Sequence, residues 1–392
     1  MAKSVSNTIY PRVLLGFSTL LPATVLAVET DLEVYGFAQV DYVQGFDRVT
    51  DEWSDTLRPG RIPTGALSSK GSDGQAVISA RQSRLGVQGT VPVEGGGELF
   101  TKFEFDMFGV GPDEGQTTIR LRHAYGEWNG LLAGQTNTLF MDGDVFPNVI
   151  DYWGPSGMVF LRSPQIRWTP VRSETSSFAV AIENNPGNDV QGADGVTPNV
   201  AGDEELPDVT AQYRMMGDWG HLQVAGILRQ VGYDTPTQAN GEPEDEEFGW
   251  GVNLTSSFNF GSDKLMLGVV HGEGVASYMN DGGNDAAIGG AAPDYELLPL
   301  TGVVAYYDHY WSERYSTSFG YSATMIDNTD FQAGNAFEKG EYASANLLYT
   351  PAKPILMGVE GLYGKRTDND GTTGFDRRIQ FSVKYSFSSK GF

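Results

Sequence analysis

The sequence predicts an all-β chain closed into a 16-stranded antiparallel transmembrane β-barrel. Three observations predict it. Apolar and polar residues alternate with period two over segments of about ten residues, many of them reaching ten to fifteen, longer than the five or six usual in soluble sheets. The connections between those segments alternate, long then short, as they do in outer-membrane barrels. An export signal opens the chain, and nothing after it is apolar enough to cross a membrane as a helix.

The export signal is expected over residues 1–27. Lys3 and Arg12 give the positive start, Val13 to Leu26 is mostly apolar, and Ala27 supplies the small residue at the cleavage point. Pro22 interrupts the run, which is too short for a membrane anchor. Residues 28–392 are then expected to form one barrel. Loss of Lys3 and Arg12 leaves that part at −26, two units below the −24 of the whole chain.

Composition removes several function classes. A net charge of −24 argues against a nucleic-acid partner. The absence of cysteine excludes thiolate catalysis and Cys-ligated zinc, and fits export without disulfides. Charged residues are only 19% of the chain, while Phe (21) and Tyr (18) supply most of the aromatics, as strands favour.

Sixteen segments are expected, beginning near residues 32, 78, 97, 117, 131, 164, 175, 207, 219, 247, 264, 300, 314, 339, 354 and 376. In the clearest, Leu99, Thr101, Phe103, Phe105 and Met107 share one face, and Glu98, Lys102, Glu104 and Asp106 share the other. The long connections are 47–77, 109–116, 138–163, 185–206, 234–246, 279–298, 328–338 and 368–375. Short ones such as Asn129-Gly130, Gly217-Asp218 and Ser312-Glu313 lie between them, which puts both termini in the periplasm. Trp311, Tyr315, Tyr349 and Phe387 are outward in phase beside the short turns or the chain end, as a periplasmic aromatic girdle requires. The acidic runs at Asp203-Glu204-Glu205 and Glu244 to Glu247 read as solvated surface loops, with a divalent-ion bridge to lipopolysaccharide as the alternative.

The same phasing selects the side chains that face the lumen. Leu85 and Val87 outward put Arg84 inside; Leu121 and Tyr125 outward put Arg120 and Arg122 inside; Ile166 and Trp168 outward put Arg167 inside. Lys102, Arg229, Arg378 and Lys384 follow by the same rule. A lipid-facing charge at mid-bilayer costs about 2–4 kcal/mol, so inward placement is preferred. The competing reading is that some of these cations only pair with Glu98, Glu104, Asp106 or Glu360 to hold the wall. Catalysis has little support. The four histidines (123, 221, 271 and 309) have no metal-ligand spacing, no Ser–His–Asp set is recognisable, and no cofactor is called for. A barrel enzyme or a surface-binding protein is the alternative class.

Several stretches carry a family resemblance. Ser83 to Gly89, followed by Gly95 to Asp106, looks like the second and third strands of Gram-negative trimeric porins. The more specific blocks are Asp144 to Pro155, Gln165 to Pro170, Ala345 to Pro351, Gly358 to Glu360 and Tyr363 to Arg366. Together they resemble the DcaP-like porins, a family associated with dicarboxylate uptake. The resemblance implies a homotrimer in the outer membrane passing small anionic solutes. It also implies that the third long loop, 138–163, folds into the pore. Asp142, Asp144, Asp151, Tyr152 and Trp153 are its expected constriction residues, the acids facing the basic wall. Family members can carry an N-terminal coiled-coil segment. With strand one beginning about five residues beyond Ala27, none is expected here. The chain ends in Phe392, but Phe387 is the residue in phase with the last strand.

Overall fold

The computed structural model describes residues 31–391 apart from 50–52, 66–73, 110–117, 188, 192–200, 204, 235–244 and 290–294. The expected signal at 1–27 and Phe392 lie outside the described residues. The barrel strands are β1 (Asp31–Gly45), β2 (Ala76–Ser79 and Arg84–Pro92), β3 (Glu98–Asp106), β4 (Arg120–Trp128), β5 (Leu131–Asn137) and β6 (Arg162–Arg172). Next come β7 (Ser176–Glu183), β8 (Asp208–Gly217), β9 (Gly220–Asp234), β10 (Asp245–Phe260) and β11 (Asp263–Glu273). The set ends with β12 (Pro299–Tyr310), β13 (Tyr315–Ile326), β14 (Phe337–Ala352), β15 (Ile355–Asp368) and β16 (Thr373–Ser388).

Each strand pairs antiparallel with the next, and β16 returns to β1 from Tyr35↔Ser388 to Gly45↔Arg378. The expected sixteen-stranded closed barrel is therefore the observed one. Closure follows from solvent physics, since each unpaired backbone group in hydrocarbon costs several kcal/mol. Among the described residues, no helix is long and apolar enough to cross a membrane.

Local chemistry sets the turns. Asn129 (φ 49) and Gly130 (φ 81) both take left-handed backbone, the requirement of a two-residue hairpin turn whose twist matches its strands. At the opposite end, Asp368 to Thr372 makes a tight turn, so the expected long connection 368–375 contracts to residues 369–372. The second strand is interrupted at 80–83, where Ser83 Oγ donates to the Gln39 carbonyl.

One expected phase is wrong. The β3–β4 register slips between Glu104 and Phe105: Phe105 pairs with Leu121, but Glu104 pairs with His123. Arg122 is the extra residue of a β-bulge, and beyond it every side chain changes face. Tyr125, expected outward, pairs with lumen-facing Lys102 and so points inward; so does His123.

The burial pattern is that of a membrane barrel. Phe103, Ile166, Trp168, Leu228, Phe248 and Phe381 are exposed on the outer face, while Glu104, Asp106, Arg122, Gln223 and Glu360 are buried inside. Near the short turns Tyr315 and Tyr349 stack at 4.8 Å, and Trp311 Nε1 donates to Thr317 Oγ1 at 3.0 Å.

Candidate pore site

Two carboxylates organise the wall of β2, β3 and β4. They lie two residues apart on β3, so the strand's period puts both on its inner face. Glu104 accepts Arg122 Nε at 2.8 Å and the Tyr35 hydroxyl at 2.7 Å. Arg84 and Lys102 stand 3.5 and 3.6 Å from it. Asp106 accepts Arg120 through Nε (3.2 Å) and Nη2 (2.9 Å), and Arg122 Nη1 at 3.0 Å. The arginines of the ladder are thus held in place by wall carboxylates, and two of them are charge-balanced there.

The connection 138–161 lies against inward-facing side chains of β10, β14, β15 and β16. Asn253 Nδ2 donates to the Phe140 carbonyl at 2.8 Å, and Asn346 Nδ2 to that of Asn148 at 2.8 Å. Glu360 accepts the backbone N–H groups of Ile150 (3.1 Å) and Asp151 (3.0 Å), and Gln380 Nε2 donates to the Ile150 carbonyl. Phe140, Val145 and Val159 bury their apolar surface among barrel and loop side chains, notably Ile227, Met266, Val270 and Leu300.

The acids of this connection do not oppose the arginines of β4. Asp142 is buried towards β8, β9 and β10, accepting Thr255 Oγ1 at 2.7 Å, bonded to His221 Nε2 at 2.6 Å and meeting Arg214 Nη1 at 3.3 Å. Burial pushes its carboxyl up, but His221, Thr255 and Arg214 outweigh it and hold it below the usual carboxylate range. Asp144 is exposed and pairs with Arg214. Asp151 is buried and accepts Leu57 N, Thr56 Oγ1 and Gly154 N, each at 3.0 Å. Burial pushes its carboxyl up despite those donors. Tyr152 takes the position facing the arginines: its hydroxyl donates to Asp106 at 2.6 Å and its ring stacks on Phe108 at 3.6 Å. Trp153 and Trp53 flank the Arg58 guanidinium at 4.1 and 4.5 Å, and Arg58 Nη2 donates to Asp281 at 2.9 Å.

These groups surround an interior cavity of about 980 Å³. Of the cations the sequence selects, Arg84, Arg120, Arg122 and Lys384 line it, together with Asp151, Tyr152 and Trp153. Lys102, Arg167, Arg229, Arg378, Asp142 and Asp144 are not among its lining residues. Arg229 is fully buried, bonded to Asn185, Ser277 and Asp285, and fastens long loops to the wall. Arg378 is buried on Asp376 and the carbonyls of Trp53 and Ser54, and Arg167 bonds Gln165 and the Asn137 carbonyl.

Four lining cations escaped the sequence reading: Arg58, Arg61, Arg162 and Arg366. Arg162 opens β6 two residues before the expected start, and Arg366 is inward by the phase that sends Lys365 outward. Strand phasing within the expected strand would have found Arg366, but Arg162 shares the parity of outward Ile166 and Trp168, so phasing places it on the wrong face. Arg58 and Arg61 sit in a loop without periodicity. The lining therefore holds eight Lys and Arg side chains against two carboxylates, Asp151 and Asp189. Partial desolvation and the neighbouring Asp285 push the Asp189 carboxyl up from its usual range, as burial does that of Asp151.

A closed antiparallel barrel with an apolar outer band and a polar interior cavity defines an outer-membrane channel of the porin class. The chain belongs to the DcaP outer membrane protein family, which it matches over residues 21–387. Among solved structures it is similar to the outer membrane channel DcaP of Acinetobacter baumannii, at 26% identity and a TM-score of 0.79, over 91% of this chain and 97% of that one. The anion-selective porin from Comamonas acidovorans is similar at 10% identity and a TM-score of 0.60, over 92% and 100% of the two chains. The trimer form of OmpT from Vibrio cholerae is similar at 12% identity and a TM-score of 0.56, over 91% and 99%. At those last two identities the likeness speaks for the fold alone. No curated protein sequence matches the chain.

Proposed function

We propose that this outer-membrane channel passes small anions, dicarboxylates among them, down their gradient, and that it does so without catalysis. The observation that carries the reading is the lining: eight cationic side chains against two carboxylates, buried Asp151 and exposed Asp189. Within the cavity a unit charge pair at 4 Å is worth about 4 kcal/mol at an effective dielectric of 20. The whole chain is at −24, but acids farther than about 8 Å are screened at physiological salt. Proximity therefore outweighs total charge. Planar guanidinium groups also suit two-point contact with carboxylates. The segment 138–163 narrows the pore by carrying Tyr152 and Trp153 into the lining. Its acids Asp142 and Asp151 are occupied by donors and oppose anions little.

Membership of the family supports a homotrimer set in outer-membrane lipid and lipopolysaccharide, with outward Ala343 and Ala345 offering a low surface for a neighbour. Cross-linking in mild detergent checks the trimer; monomer alone would contradict it. Swelling of proteoliposomes tests the solute class. Succinate is expected to enter faster than an uncharged or dicationic solute of the same size, and equal rates would contradict the reading.

A further inference from the structure

Residues 53–64 of the first long connection lie inside the barrel, against the inner face of β14, β15 and β16. Pro59 starts a single 3-10 turn through Arg61, closed by Arg61 N on the Arg58 carbonyl (3.0 Å) and Ile62 N on that of Pro59 (3.2 Å). The wall is shaped to receive this turn. Gly340, Arg366 and Gly374 stand side by side in one register row across the three strands, and Gly364 precedes Arg366 by two residues on the same inner face. A Cβ at Gly364 would come within 2.8 Å of Leu57 Cδ1, one at Gly340 within 3.1 Å of the Pro59 side chain, and one at Gly374 within 2.2 Å of the Pro63 carbonyl oxygen. Side chains at these three positions would push the segment off the wall. Arg366 Nη1 donates to the Gly60 carbonyl at 2.8 Å, and Arg378 Nη1 to that of Ser54 at 3.0 Å. Leu57 and Ile62 are buried with Tyr342 and Leu362 of the same wall.

The other side of the turn is fastened to a different loop. Asp281, from the connection between β11 and β12, is buried. Its Oδ1 accepts Arg58 Nε at 3.2 Å and Nη2 at 2.9 Å, and its Oδ2 accepts Gly60 N. Trp53 and Trp153 flank the Arg58 guanidinium and fix its plane towards that carboxylate. Next to Asp281, Asn280 Nδ2 donates to the carbonyls of Trp153 and Pro155 at 2.7 and 2.9 Å. Three loops therefore meet at Asp281, and Arg58, Gly60, Arg61, Trp153 and Asn280 all line the cavity. A bridge from the wall at β14–β16 to a loop rooted at β11 and β12 takes cross-section from the lumen, and pore diameter is one of the determinants of what passes. We infer that residues 53–64 form a strap that sets the largest solute the channel admits, fastened through Asp281 to Arg58 and Gly60. With the fastening open, the strap is held by the wall alone and larger solutes pass. The inference rests on the channel fold and is independent of selectivity by charge.

Uptake of uncharged sugars by proteoliposomes, from a monosaccharide to a tetrasaccharide, tests it, because neutral probes do not respond to the charge of the lining. Asp281→Ala removes the acceptor that Arg58 and Gly60 share. Uptake of the larger sugars is expected to rise several-fold, with little change for the monosaccharide. The chain has no cysteine, and a Cβ at Gly60 would lie 3.2 Å from Asp281 Cγ, within the reach of a disulfide. The double variant Gly60→Cys, Asp281→Cys therefore gives a reversible fastening in one folded protein. Oxidised, it is expected to keep the wild-type size limit; reduced with dithiothreitol, it takes that of Asp281→Ala. A limit unchanged on reduction would overturn the strap even if Asp281→Ala admits larger sugars, because that variant can also loosen the fold. Thiols that stay free under oxidation would overturn the seating of Gly60 on Asp281, and the strap with it.

Discussion

The Tyr152 hydroxyl donates to Asp106 at 2.6 Å, and Asp106 is the carboxylate that Arg120 and Arg122 share. The connection 138–161 is therefore tied to the same charge that fixes the arginines of β4. A hydrogen bond to a charged acceptor is worth about 1.5–3 kcal/mol. Tyr152→Phe keeps the stack on Phe108 and removes that tie together with the 3.4 Å bond the hydroxyl accepts from Arg122 Nη1. Open-channel current noise is expected to rise with little change in reversal potential, and unchanged noise would show that the tie does not hold the connection still.

Asp142 and Asp144 should differ sharply on removal. Asp142 is buried with three side-chain partners, and Asp142→Ala strands His221, Thr255 and Arg214. Breaking a buried charged pair costs about 3–5 kcal/mol. Asp144→Ala removes an exposed carboxylate, and surface pairs contribute about 0–1 kcal/mol. Urea unfolding in detergent, followed by tryptophan fluorescence, measures both.

Asp142 also gives a pH dependence of known sign. Its folded carboxyl titrates below the usual range, so the folded state holds fewer protons than the unfolded state while pH falls through that window. The stabilisation is fully present above about pH 4 and is lost as pH falls through the folded value. The difference in unfolding free energy between wild type and Asp142→Asn is expected to shrink below about pH 4. A difference that stays constant there would contradict the assignment.

Arg122 is charge-balanced, yet its removal should matter. Arg122→Ala deletes one positive charge and releases Glu104 Oε1 and Asp106 Oδ2 from its grip. Anion preference is expected to fall, read as a smaller reversal potential in a salt gradient. No change would mean that Arg122 only holds the wall.

Strand number, order and closure were legible because period two and the loop alternation are properties of the chain itself. The bulge at Arg122 was not. One extra residue in β4 sends Tyr125 and His123 inward, and nothing in their residue types announces it. Phasing also could not tell a lumen-facing cation from one sealed beneath a loop. Arg229 is inward, but Asn185, Ser277 and Asp285 close over it, and those partners come from two distant loops. Asp142 was expected to face the basic wall of β4, and its side chain turns to His221 and Thr255 across the barrel. Loop acids have no phase to read, and their direction depends on which donors the far wall supplies.

The central claim is that the cavity's own charge decides selectivity against the −24 of the whole chain. The reversal potential of the reconstituted wild-type channel across a KCl gradient tests it most directly. The potential is expected to lie on the chloride side of zero, and to move towards zero in Arg84→Gln and Arg162→Gln. A wild-type potential on the potassium side would contradict the account.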